Sequence, residues 1–343
     1  MVSEQLRVWA PGRVNLIGGH SDYSGGLVLP IAIDLGTTIV GQRGHERIVL
    51  VSSDDPDPAE VALHVDDPAS LSPNWARYVG GVVAEVAPPT GFIGKVSTTI
   101  PIGTGLSSSA ALEVAVALAL VGDDRVDRRQ LALACQRAEH RASGVPCGIM
   151  DQFASLMGVE GHGLLIDCTT FEVTPIALPD DIAIVVVDSG QRRNLSEVGY
   201  ADRRAEVKRA EDLLGDLPRA SLDAVEAIDD PIVRKRARHV VTENQRVRDF
   251  VDAIKGRDIR AAGRLMTESH VSLRDNQEVT TKVLDELVDR LNGMPGVYGA
   301  RLTGGGWGGC VVALAEFGAI KEGWTVRPSA GASVEAIQLP PRA

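Results

Sequence analysis

The chain has 343 residues, 44% of them hydrophobic and 24% charged, with a formal net charge of −11. That length favours two domains sharing an interface over one core, and the composition is ordinary for a soluble globular protein. The charge argues against nucleic acid or an anionic membrane as the main partner, but not against a phosphorylated ligand, because a nest of backbone N–H groups binds anions locally.

The N-terminal stretch shows no basic region followed by an apolar one, and no apolar run reaches about 18 residues, so neither a signal peptide nor a membrane span is expected. Cys135, Cys147, Cys168 and Cys310 are widely separated and form no C-x-x-C. Reduced thiols in a cytoplasm are the better reading than a disulfide scaffold or a zinc site.

In chain order, the first unusual segment is LIGGHSDYSGG at residues 16–26, with Arg13 just upstream in APGRVN. It is too glycine-rich for a core. Arg13, His20, Asp22 and Tyr23 on glycine hinges suit a polyhydroxylated ligand; a solvated turn is the alternative. His20-Ser21-Asp22 is no catalytic triad, since sequence neighbours cannot aim at one another in that geometry.

The stretches 37–43, 47–53 and 94–101 are β-branched and predict strands. Gly103-Thr104-Gly105-Leu106-Ser107-Ser108-Ser109 then runs directly into an alanine-rich helix. Free N–H donors at a helix N-terminus make an anion site. A serine cap is the plainer alternative, and without G-K-[ST] the loop is no Walker A motif. A second helix covers 128–144 and carries Glu139, which is either a surface glutamate or a site acid. Asp151 lies between apolar stretches, so it either caps a helix or serves as an acid or base.

Strands return at 163–178 and 181–190. From Tyr200 to about Gly256 the text is charged and helical, with a turn near 230, and further amphipathic helices cover 258–276 and 280–293. Residues 296–316 pair two strands across Gly304-Gly305-Gly306-Trp307-Gly308-Gly309. This loop contains G-x-G-x-x-G, but CVVALAE follows as a strand, so a dinucleotide fold fails on context. Strands and helices mix without strict alternation, which predicts an α+β build in two halves, 1–177 and 178–343.

Together and in this order, the segments resemble the GHMP small-molecule kinases and, within them, the galactokinase family. PGRVNLIGGHSDYSGGLVLPIAI resembles the family's sugar signature, PIGTGLSSSAALEVAVALAL its phosphate loop, and RLTGGGWGGCVVAL its third motif. The likeness continues in NWARYVGGVV, AEHRASGVPCGIMDQFASLMG and RLMTESHVSLRDN. The resemblance implies a two-domain fold with the active site in the cleft, and ATP-dependent phosphorylation of a sugar's anomeric hydroxyl. It assigns Asp151 as the base and Arg13 as the cation that keeps it ionised. Ser109 and Glu139 match Mg2+ ligands, residues 103–109 the triphosphate cradle, and Trp75 a tryptophan beside adenine. His20, Ser21, Asp22, Gly148 and Tyr200 fall among the sugar-binding positions. The expected partners are a sugar and Mg-ATP, on a cytoplasmic monomer.

One position departs. The family reads G-E-H-[ST]-D where this chain has Gly18-Gly19-His20-Ser21-Asp22. The resemblance puts that glutamate at the sugar's hydroxymethyl end, and its loss removes an acceptor worth about 1.5–3 kcal/mol. Galactose is the first expectation. Gly19 leaves open a galactose-like sugar altered at C6, L-arabinose or D-galacturonate, because no carboxylate is then stranded or repelled. A sensor that binds sugar and ATP without turnover is the other alternative.

Overall fold

The computed structural model describes residues 5–123, 126–192 and 196–337. Alternation such as Leu6-Arg7-Val8 gives the first half of β1 (Gln5–Ile17) one buried face, the strand is buried on both faces from Ala10 onward, and β2 (Leu27–His45) returns beside it. There follow β3 (Arg47–Ser52), β4 (Ala59–Ala62), α1 (Asn74–Val86) and β5 (Gly91–Thr98). Next come α2 (Ser108–Val121), α3 (Arg128–Ser143), α4 (Met150–Met157), β6 (His162–Asp167) and β7 (Glu172–Ala177). The remainder comprises β8 (Ala183–Asp188), α5 (Ser196–Leu214), α6 (Leu222–Glu226), α7 (Pro231–Lys255), α8 (Ile259–Ser272) and α9 (Lys282–Asn292), then β9 (Val297–Thr303), β10 (Cys310–Ala315), β11 (Trp324–Val326) and β12 (Ser333–Ile337).

The first sheet runs β12-β1-β2-β5-β3-β4, with β6 on β2 and β7 on β6. Only its β3–β5 pair is parallel. The second sheet, β11-β8-β10-β9, is antiparallel throughout. The α+β expectation therefore holds.

Local chemistry explains the helix ends. Asp127 accepts from the N–H groups of Arg129 and Gln130 to start α3, and Gly144 closes it in the left-handed conformation. Asp230 caps α7 with Pro231 behind it, which forms the turn expected near 230. α2 is apolar on almost every side, and it sits in a core between the first sheet and α1, α3 and α4. A second cluster joins Leu29, Ile31 and Ile33 of β2 to Val186, Val312 and Phe250. Each such side chain contributes about 1.5–3 kcal/mol when buried, so this cluster fixes the two sheets against each other.

Candidate active site

The β1–β2 register shifts between Pro11 and Arg13, an irregularity that re-aims the Arg13 side chain. Gly12 lets the strand approach the serine-rich loop: a Cβ there would stand 2.5 Å from the Leu106 carbonyl oxygen. The Arg13 N–H donates to that carbonyl at 3.2 Å. Its guanidinium donates from Nε to Asp151 Oδ1 and from Nη2 to Asp151 Oδ2, both at 2.6 Å, and from Nη1 to the Gly105 carbonyl at 2.8 Å. Ser107, left-handed at φ 62°, donates its hydroxyl to Asp151 Oδ2 at 2.5 Å. One arginine thus ties a strand, the loop and the first turn of α4 together.

Beside this pair lies an acidic pocket. Ser109 Oγ donates to Glu139 Oε1 at 2.9 Å, and Gln152 Nε2 donates to Glu139 Oε2 at 2.6 Å and to Glu113 Oε2 at 3.1 Å. Burial, then the negative Asp151, push the Glu139 carboxyl up. Burial pushes Glu113 well up, with Glu139 adding to it. Among the described residues no cationic side chain pairs with Glu139. Two oxygens 2.9 Å apart match neighbouring ligands of an octahedral Mg2+ at about 2.0–2.1 Å, and this ion is typically held by few protein ligands plus substrate phosphates. The donor set fits Mg2+.

The opening loop forms the facing wall. His20, at φ 59°, donates from Nε2 to the Gly305 carbonyl at 3.1 Å, and its Nδ1 shares a hydrogen bond with Tyr23 Oη at 3.0 Å. Tyr200 packs its ring 5.5 Å from both, tilted against His20 and edge-on to Tyr23. The Asp22 carboxylate lies against Gly148, where a Cβ would fall 1.9 Å from Oδ2; only glycine fits. Burial, then Asp151, push Asp22 up to about 6.

From below, α7 grips Gly18 and Gly19. Glu243 Oε1 accepts from their N–H groups at 3.0 and 3.2 Å, and His239 Nε2 donates to the Gly19 carbonyl at 2.8 Å. Burial lowers His239 to about 4, so the ring is neutral at pH 7. Glu243 is lowered to about 2, because Arg246, His239 and Arg301 outweigh its burial. The space beside Gly19 is filled: Nη2 of buried Arg301 lies 2.3 Å from where a Cβ would stand. The glycine therefore does more than delete an acceptor, since it makes room for a guanidinium.

A cavity of 390 Å³ brings together Arg13, Gly19, His20, Asp22, Gly103, Gly105, Ser107, Ser108, Ser109, Glu139, Gly148, Asp151 and Tyr200, with Gly304 and Gly305. Four expected residues lie off its wall. Thr104 turns its hydroxyl to the Pro101 carbonyl, and Leu106 is in the core. Ser21 is buried, its carbonyl accepting from Ser24 and Gly26. Trp75 donates its indole N–H to Asp57, while Tyr78, one turn on, lines the cavity. Asn15, Cys147 and Arg192 also line it and were missed. Asn15 sits inside APGRVN and was within reach of sequence reasoning; Arg192 carried no signal. The third glycine loop closes on the backbone of Val279 and Gln191, as Cβ atoms at Gly306 and Gly308 would fall 2.3 and 2.6 Å from those carbonyls.

Three family models match this chain: the galactokinase galactose-binding signature over residues 3–43, the GHMP kinases N terminal domain over 77–159 and the GHMP kinases C terminal over 250–325. Human galactokinase is 44% identical over 331 residues, which cover 91% of this chain and 84% of the human protein. A galactokinase of Haemophilus influenzae is 41% identical with 91% and 85% covered. Among solved structures, Lactococcus lactis galactokinase complexed with galactose superposes with a TM-score of 0.89 at 31% identity, covering 96% and 95% of the two chains. The chain belongs to the galactokinase family of the GHMP kinases.

Proposed function

We propose that this chain transfers the γ-phosphoryl group of Mg-ATP to the anomeric hydroxyl of galactose. The observation that carries this is the Arg13–Asp151 pair in a cavity shared with the serine loop and the sugar-signature loop. A sugar hydroxyl is a poor nucleophile, and Asp151 can take its proton as the new P–O bond forms. Arg13 holds both carboxylate oxygens and supplies positive charge, while the loop's N–H groups and the start of α2 would face the phosphates. Phosphoryl transfer asks mainly for such positioning and charge neutralisation.

His20, Asp22, Gly148 and Tyr200 would seat the sugar, with its hydroxymethyl end at position 19. Ser109 and Glu139 would hold Mg2+, which would supply positive charge against the phosphates when bound. Trp75, beside Tyr78, would border the adenine. Residues 1–177 and 178–343 form the two domains in this reading, with β12 returning from the second to the first sheet. No helix among the described residues is long and apolar enough to cross a membrane, and we place the protein in the cytoplasm as a monomer.

The test is ADP release from Mg-ATP with galactose, run beside Asp151→Asn. Turnover in the wild type and its loss in the variant are expected. Sugar and ATP binding without turnover in either protein would replace the kinase by a sensor.

A further inference from the structure

Arg301 occupies an unusual position for an arginine. It lies on β9, where Ala300 and Leu302 face the apolar core under α9 and Arg301 and Thr303 face the other way, towards β1. Thr303 holds the backbone of cavity-lining Asn15, accepting its N–H at 3.1 Å. Arg301 is 1% exposed, and among the described residues its Nε and Nη1 find no acceptor.

The acidic group that acts on its charge is Glu243, but that carboxylate makes its hydrogen bonds elsewhere. It accepts from Gly18, Gly19, Ser269 and the Arg246 guanidinium. A buried charge normally requires both a counter-charge and hydrogen bonds. Here the charge is only partly offset and two donors are unbonded. The tip, Nη2, lies against Gly19, and Gly19 itself lines the cavity. Gly19 does not have a positive φ, so backbone conformation does not demand glycine there; a Cβ at this position would instead press on the tip of the Arg301 guanidinium.

We propose that Arg301 is a specificity-determining residue: across side-chain-free Gly19 it sets a donor and a positive charge behind the wall that meets the sugar's outer substituent, so the site selects a galactose-type pyranose bearing a hydroxyl or carboxylate at C6 over one that lacks it. This rests on the proposed function, in which the C6 end lies at position 19. The substrate class widens accordingly. A hexuronic acid meets an attractive field, whereas L-arabinose or 6-deoxygalactose offers that field no oxygen. Sites built to bond a polar substituent reject analogues that lack it.

The experiment measures kcat/KM for galactose, galacturonate, 6-deoxygalactose and 2-deoxygalactose with the wild type, Arg301→Met and Arg301→Lys. In the wild type, galactose and galacturonate should each exceed 6-deoxygalactose by about ten-fold or more, as a charge-assisted contact implies. Arg301→Met should bring those ratios to within about two-fold, Arg301→Lys should keep part of them, and the galactose to 2-deoxygalactose ratio should not move. If Arg301→Met scales all four sugars equally, the residue is merely structural and the proposal falls. It falls too if the wild type shows no C6 discrimination. Should Arg301→Met fail to fold, Gly19→Ala presses on the guanidinium from the cavity side and must change the same C6 ratios. Absence of turnover on every sugar in the wild type would instead overturn the parent reading.

Discussion

Arg13 and Asp151 meet through two parallel hydrogen bonds of 2.6 Å, Nε to Oδ1 and Nη2 to Oδ2, across 138 positions of sequence. The bidentate geometry fixes the plane of the carboxylate as well as its charge. Asp151→Asn keeps the shape and removes the base. Its kcat should fall by about 10²–10⁴-fold while galactose affinity, measured by calorimetry, changes far less. Arg13→Met should lower kcat too, and the double variant should lose less than the two single losses combined, because both act as one unit. An unchanged kcat in Asp151→Asn would remove this residue from the chemistry.

Asp22 supplies a pH signature. Its carboxyl is raised to about 6 by burial and by Asp151, so it takes up a proton as pH falls through 6 and loses acceptor capacity. KM for galactose should therefore rise between pH 7 and 5, and Asp22→Asn should abolish that rise. For stability, the folded state binds this proton more tightly than the unfolded chain does. The resulting contribution is fully present below the ordinary value of 3.8 and is lost as pH rises through 6. Asp22→Asn should accordingly raise Tm at pH 7.5 and give no advantage below pH 4.

Glu139 and Ser109 define the expected metal dependence. With its carboxyl raised by burial and by Asp151, Glu139 gains from any cation brought to it. Glu139→Gln should shift the Mg2+ concentration for half-maximal activity upwards by about ten-fold or more, as loss of one charged contact implies. A Mg2+ titration of ADP release reads this directly. An unaltered titration would place the metal elsewhere.

Much of this site was legible because its parts are local strings: the serine loop before α2, the glycine-rich turn, and Asp151 between apolar runs. What escaped was set by contacts distant in sequence. β1 and the start of β2 were not read as strands, because Pro11, Gly12 and Arg13 interrupt the alternation where the register shifts, and LVLPIAI carries no period. Gly148 was expected among the sugar contacts; the structure also shows it yielding space to Asp22, 126 positions away, a close approach no local pattern encodes. Position 19 was visible as an anomaly, yet the guanidinium beside it comes from β9 and became evident only in the packed fold.

Glu243 shows how the opening loop depends on α7. Its carboxylate is fully buried and holds the N–H groups of Gly18 and Gly19, the Ser269 hydroxyl and the Arg246 guanidinium, while facing Arg301. Glu243→Gln would break its buried ion pair with Arg246 and would leave Arg301 without the counter-charge that acts on it. Removing one partner of a buried ion pair costs about 3–5 kcal/mol, so a large drop in the urea midpoint is expected. The pH dependence separates charge from packing. Glu243 is lowered to about 2 from 4.5, so its stabilisation is present above pH 4.5 and is lost as pH falls towards 2. His239, lowered to about 4 from 6.5, stabilises the fold above pH 6.5 and loses that contribution as pH falls through 4. The wild type should thus carry a destabilising acid limb from these two groups, partly opposed by Asp22 between 6 and 3.8. Glu243→Gln should flatten the portion below pH 4.5 and keep the His239 portion above it. If unfolding measured from pH 7.5 to 3 shows wild type and variant declining in parallel, Glu243 does not hold the loop through its charge.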